Sequence, residues 1–195
     1  PMLYRNLAEK GFFPVSEMAT LRRMGGLAGH PNMHTPGVEM PGGPLGQGFP
    51  AAQGMAMALK LNNSPAKVYA VLGDGELNEG VIWETAMSAA KFKLDNLIAI
   101  VDYNKVQLDG TTDDVMPLGD LAAKWEAFGW TVLECDGHDL EALDFCVSVA
   151  DGAVGAPTVI IANTIKGKGV SFMEGKNTWH GKAIDDESFA KAMEE

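Results

Sequence analysis

The sequence predicts an α/β fold, a doubly wound parallel sheet with helices on both faces. Three observations carry that expectation. Four short β-branched strings, at 68–72, 97–101, 130–135 and 158–162, are apolar with little alternation, which suits strands covered on both faces. Between them lie stretches with apolar residues at three- and four-residue spacing, the pattern of amphipathic helices. Glycine makes up 23 of the 195 residues, and its clusters fall at the turns such a fold requires.

Taken in order, residues 49–61 (FPAAQGMAMALKL) form a small-residue helix with Pro50 in its first turn, where a missing N–H costs little. The string VYAVL at 68–72 is the first strand, followed by Gly73-Asp74-Gly75 and a helix over 80–94 whose free N–H groups face that turn. LIAIV at 97–101 is the second strand. Helices over 118–128 and 139–150 flank the third strand, WTVLEC at 130–135, and TVIIA at 158–162 is the fourth. Strands alternating with helices of this length pair in parallel through right-handed crossovers. With no repeat, linker or low-complexity tract, residues 1–195 read as a single domain, and the eleven methionines read mostly as core filler.

Composition narrows the function. Hydrophobic residues at 46% and charged residues at 21% exclude disorder over the whole length. A net charge of −11 argues against extended nucleic-acid binding, so a phosphate-bearing ligand must be held by local donors or a cation. Cys135 and Cys146 are too few for a disulfide framework and read as free buried thiols of a reducing compartment. No apolar run approaches membrane-spanning length, and residues 1–10 lack the pattern of a signal peptide, so no membrane association is expected and the cytoplasm is the expected location. The chain starts at Pro1 without an initiator Met, which leaves a fragment, a processed form or a partly ordered chain open.

The chemistry gathers at two strand ends. Asp74 follows the first strand and Asn104 follows the second, thirty positions later. In an open α/β sheet, ligands bind at the carboxyl ends of strands. If the two strands are neighbours, a carboxylate and an amide oxygen converge. Two hard oxygen ligands with no His or Cys nearby suit Mg²⁺ or Ca²⁺, and Mg²⁺ commonly takes one or two protein ligands while a phosphate supplies others. The competing reading of Gly-Asp-Gly is a plain turn into an acidic helix start. No Gly-x-Gly-x-x-Gly follows a strand, so a dinucleotide fold is not indicated.

The segment GDGELNEG…DYNKVQLDG resembles the thiamine-diphosphate binding motif, in which an Asn some thirty residues after Gly-Asp-Gly completes the Mg²⁺ site. Around it, GHPNMHTPGVEMPGGPLGQG at 29–48, FGWTVLECDGHD at 128–139, and TIKGKGVSFME with TWHGKA within 164–183 are similar to transketolase. The resemblance runs from Leu7 to Ala192 and is strongest to the amino-terminal subunits of split transketolases. It implies transfer of a two-carbon ketol unit from a ketose phosphate to an aldose phosphate, with thiamine diphosphate as electron sink.

Carried over residue by residue, the resemblance makes Asp74, Asn104 and the Val106 carbonyl the cation ligands. Gly73, Gly75 and Glu79 lie around the diphosphate and cofactor, and Gly43 and Leu45 contact thiamine. His30 binds substrate hydroxyls, and His180 lies near the diphosphate and the substrate's reacting hydroxyl. His34 and His138 receive no chemical role, the latter sitting in a turn into a helix. For Lys166 and Lys168, a phosphate clamp and a solvated glycine loop both stand. For Glu79 and Glu84, a carboxylate network across a dimer and a favourable position at the positive end of the helix both stand.

The resemblance further implies that two histidines of the family's opening segment lie before Pro1, and that the pyrimidine domain with its activating glutamate is on another polypeptide. The expected assembly is therefore a homodimer, packed through the helices at 49–61 and 80–94, within a heterotetramer completed by a carboxyl-terminal, pyrimidine-domain subunit. Two alternatives stand beside this. One is another thiamine-diphosphate enzyme, deoxyxylulose phosphate synthase-like or a sulfosugar-specific ketol transferase. The other is an inactive truncated homologue that serves only as a binding subunit.

Overall fold

The apolar strings become strands in the computed structural model, which describes residues 1–195. The strands are β1 (Val68–Gly73), β2 (Leu97–Tyr103), a short hairpin of β3 (Val106–Gln107) and β4 (Gly110–Thr111), β5 (Thr131–Asp136) and β6 (Thr158–Asn163). Four of them form one parallel sheet in the order β1-β2-β6-β5, and β3 and β4 pair antiparallel by themselves. The helices are α1 (Met2–Glu9), α2 (Gly48–Leu61), α3 (Gly80–Lys91), α4 (Thr112–Val115), α5 (Leu121–Ala127), α6 (Leu140–Asp151) and α7 (Asp186–Glu194). The chain divides into two units, Pro1–Gln47 and Gly48–Glu195.

In the second unit, register sets the site. Gly73 lies opposite Asp102, and Asp102 opposite Ala162, so β1, β2 and β6 end at one level. The central strand β6 is buried from Thr158 to Ala162, as its unbroken apolarity requires. One face of the sheet packs on α2, α3 and α5 through Phe49, Ile82, Ala86, Leu121 and Trp125. The other face packs Ile98 and Ile160 on Cys146 and Ala150 of α6. Burying each such branched side chain contributes about 1.5–3 kcal/mol. Trp125, Trp130, Phe49 and Trp83 pack edge-on or tilted in the first layer, and the Trp130 indole N–H donates to the Ala86 carbonyl at 2.9 Å.

Several expectations are corrected. β1 is covered on one face only: it is an edge strand that meets α6 through that helix's last residue, Asp151, which accepts from the Tyr69 hydroxyl, and Val71 is 72% exposed with Tyr69 half exposed. β5, the opposite edge, exposes Glu134. None of the eleven methionines is buried and eight are exposed, because the core is filled by branched aliphatics, alanine and tryptophan. Cys146 is buried but Cys135 is only half-buried. Helix α3 stops at Lys91, short of 94, since Lys93 adopts a left-handed φ of 52°. Its first turn is preceded by a 3-10 turn over Gly75–Asn78. The stretch 118–128 is helical only from Leu121, where Asp120 caps by accepting from Ala123 N–H, and α6 begins one residue late because Asp139 is its cap.

In the first unit, α1 buries Tyr4, Leu7 and Ala8, and the Tyr4 hydroxyl donates to the Ala28 carbonyl at 2.8 Å. Gly37 is needed here: it adopts φ 83°, and a β-carbon would lie 2.7 Å from Phe12 and 2.8 Å from Leu7. The helices α1, α4 and α7 and the β3–β4 hairpin carry too short or too polar a pattern to be read from periodicity.

Candidate functional site

β1 and β2 are neighbours, so Asp74 and Asn104 come from adjacent strand ends. Asp74 is 2% exposed, and both its oxygens accept backbone N–H groups: Oδ1 from Gly75 at 2.7 Å and Oδ2 from Lys105 at 2.5 Å. Asn104 forms an Asx turn, its Oδ1 accepting from Val106 N–H at 3.0 Å across Lys105, which is held at φ 63°. The Asn104 Nδ2 donates to Asp102 Oδ2 at 3.0 Å. Gly75 is tightly covered, since a β-carbon there would lie 3.0 Å from Gln107 Cβ.

Burial holds the Asp74 carboxyl above the ordinary carboxylate range, against the Lys105 and Gly75 N–H groups that lower it; the Asp102 charge raises it further and the Lys166 ammonium draws it down. A buried carboxylate beside a second acid, with only backbone N–H partners, is a place where a cation relieves unbalanced negative charge. The donors are oxygens only, and no group of three His, Cys, Asp or Glu side chains is arranged to hold a metal alone. That set fits a hard divalent cation whose remaining ligands come from a diphosphate.

The other predicted residues are distributed over both units. Gly73 ends β1, its N–H donating to Glu76 Oε2 at 3.3 Å. Glu79 is exposed at the start of α3 and makes no capping bond, and Glu84 is exposed one turn on. In the first unit His30 and Gly43 are adjacent: a β-carbon on Gly43 would lie 3.4 Å from His30 Nδ1. Leu45 is 57% exposed. His180 is exposed and follows a 3-10 turn over Asn177–Trp179. Asn177 Nδ2 donates to the Leu108 carbonyl at 3.3 Å, tying that turn to the hairpin that starts at Val106.

Of the loop lysines, Lys166 acts on Asp74, while Lys168 pairs with Glu174 at 3.8 Å. The His138 imidazole serves the backbone, its Nε2 accepting from Ile165 N–H at 2.7 Å. Burial first, and then the neighbouring Cys146 thiol, push the Cys135 thiol up to about 11, so it is a poor nucleophile. Sequence reasoning missed Asp102 and Thr164; the signal was present in the acid two residues before Asn104 and the hydroxyl directly after the last residue of the fourth strand.

The family described as "Transketolase, thiamine diphosphate binding domain" matches residues 2–195, and the chain belongs to the transketolase family. It is 47% identical over 197 residues to the 6-deoxy-6-sulfo-D-fructose transketolase subunit SqwG of a Clostridium species, covering 100% of this chain and 72% of that protein. It is 47% identical over 195 residues to an apulose-4-phosphate transketolase subunit of Actinobacillus succinogenes, covering 98% and 70%. A solved Pichia stipitis transketolase mutant in complex with xylulose-5-phosphate is similar with a TM-score of 0.91 at 30% identity, covering 98% of this chain and 30% of that one. The chain thus spans about three tenths of that solved transketolase. No helix is long and apolar enough to cross a membrane.

Proposed function

We propose that this chain is the thiamine-diphosphate-binding, Mg²⁺-dependent subunit of a split transketolase, which moves a two-carbon ketol unit from a ketose phosphate to an aldose phosphate together with a separate pyrimidine-domain subunit. The observation that carries the reading is the pair Asp74 and Asn104, set by backbone N–H groups at adjacent strand ends. When bound, thiamine diphosphate supplies the electron sink for carbon–carbon cleavage. Asp74, Asn104 and the Val106 carbonyl hold the cation, with Mg²⁺ preferred over Ca²⁺ because a diphosphate completes its sphere. Gly73, Gly75 and Glu79 border the diphosphate, and Gly43 and Leu45 the thiamine. His30 binds substrate hydroxyls, and His180 holds or moves a proton at the reacting hydroxyl.

In this reading the two units act as one domain, supported by the family match across residues 2–195. The chain pairs with a second copy and recruits two partner subunits in the cytoplasm. Met55 of α2 and Met87 of α3, both exposed, are adaptable apolar groups of the kind such a contact uses.

The donor sugar is a separate question. Two relatives at 47% identity are named for 6-deoxy-6-sulfo-D-fructose and for apulose-4-phosphate, so a sulfosugar or apulose-4-phosphate stands beside an ordinary ketose phosphate as donor. The test is calorimetric titration of thiamine diphosphate with Mg²⁺ and with excess chelator, followed by ketol-transfer assays with the partner subunit over a panel of these donors. Equal affinity with and without chelator refutes the cation bridge, and no transfer from any donor favours a binding subunit.

A further inference from the structure

We propose that Asp102 is the positioning residue of the cation site and that Thr164 is its anchor, an inference that rests on the thiamine-diphosphate reading above. Asp102 stands opposite both Gly73 and Ala162, at the level where three strands end. Its carboxylate is divided between two partners. Oδ2 accepts from Asn104 Nδ2 at 3.0 Å, and Oδ1 accepts from the Thr164 hydroxyl. Its carbonyl accepts the Asp74 N–H at 3.3 Å.

The consequence is chemical. A carboxamide has one end that can ligate a cation and one that repels it. The Asp102 carboxylate takes only donors, so it captures the Nδ2 end of Asn104 and leaves a lone pair of Oδ1 for the cation, the other being used by Val106 N–H. Thr164 holds the second oxygen, which stops the carboxylate rotating. The same hydroxyl sits where β6 passes into the glycine loop that carries Lys166, so the anchor joins that loop to the site.

The inference separates positioning from charge. An amide at 102 can still accept from Asn104 Nδ2 through its oxygen and donate to Thr164 Oγ1 through its nitrogen, so Asp102→Asn preserves the arrangement while removing the charge. Asp102→Ala removes both. The experiment titrates Mg²⁺ into the full chain at saturating thiamine diphosphate by calorimetry, with Mn²⁺ binding read by electron paramagnetic resonance as a second probe. Expected is a roughly ten- to hundredfold weaker cation affinity for Asp102→Ala, the range for groups that orient metal ligands, and recovery to within about threefold for Asp102→Asn. Thr164→Val should weaken binding about threefold or more by freeing the carboxylate.

If Asp102→Ala binds within twofold of the native chain while Asp74→Ala does not bind, the inference is overturned and the functional reading survives. If the native chain shows no cation-dependent binding, both fall. Should Asp102→Ala fail to fold, the other two variants decide: Asp102→Asn losing tenfold or more, or Thr164→Val binding like the native chain, overturns the proposal.

Discussion

Replacing Asp74 by alanine perturbs folding and binding in ways the structure separates. The carboxylate satisfies the N–H groups of Gly75 and Lys105, and it is 2% exposed. An orphaned buried donor costs about 1–3 kcal/mol. Lys105 is an exposed residue whose N–H can regain water, and loss of a carboxylate that burial disfavours offsets part of the cost. The ligand-free variant should therefore be less stable by only about 1–2 kcal/mol, or roughly 2–8 °C in melting temperature for a chain of this length. Binding should change far more. At a hundredfold excess over Kd, Mg²⁺ and thiamine diphosphate should stabilise the native chain by about 2.7 kcal/mol. The variant should gain nothing. Urea denaturation and thermal melts, each with and without the pair of ligands, measure both quantities. A variant that melts lower but shows the native ligand-induced rise would refute the assignment of Asp74 as a cation ligand.

His30→Ala should lower turnover on the order of a hundredfold while leaving cofactor affinity nearly unchanged, whereas His180→Ala should weaken both; cofactor titration and steady-state transfer with the partner subunit distinguish them. Gly137→Ala should destabilise the chain by about 1–3 kcal/mol, because the new β-carbon would lie 2.4 Å from Thr164 Cγ2, and calorimetry should also show weaker cation binding as the anchor shifts. The Tyr69 phenol is pushed up to about 12, by its hydrogen bond to Asp151 first and then by burial and the Asp151 charge. Folding favours the protonated phenol, so its contribution is complete below the unfolded value near 10 and disappears as pH rises toward 12. Tyr69→Phe should accordingly flatten the fall in melting temperature above about pH 10, and an unchanged alkaline slope would contradict the bond. Light scattering with Mg²⁺, cofactor and partner should show a species larger than one of each chain; a strict monomer contradicts the assembly.

Strings such as TVIIA were legible because a central parallel strand buries every side chain, and β6 does so from Thr158 to Ala162. VYAVL was misread as equally covered because apolarity alone does not distinguish a central strand from an edge one, and only the strand order reveals that α6 never reaches Val71. The methionines were misread for a similar reason: burial depends on which helix face meets the sheet, and Met55 and Met87 face away. Asp74 and Asn104 were legible through their spacing after apolar strings. Asp102 was not, because an acid inside a strand end reads as ordinary polarity until its partners 2 and 62 positions away are known.

That partnership explains why the site can be both built and selective. Parallel register sets the ends of β1, β2 and β6, which lead into residues 74, 104 and 164, at one edge, and a slip of one residue would turn the strand side chains, Asp102 among them, to the opposite face. Once in register, the strand ends hold Asp74 and Asp102 close enough for the charge at 102 to disfavour ionisation at 74, within a chain of net charge −11. The cation-free fold carries that repulsion as a cost, which a bound divalent cation would remove. Apo stability and cation affinity should therefore move in opposite directions when the charge at 102 alone is removed: Asp102→Asn should leave the ligand-free chain as stable or more so, while the gain in stability on adding Mg²⁺ and thiamine diphosphate shrinks slightly. Thermal melts of the native chain and Asp102→Asn, with and without both ligands, measure the two changes, and a variant that loses stability in the ligand-free state would contradict the repulsion.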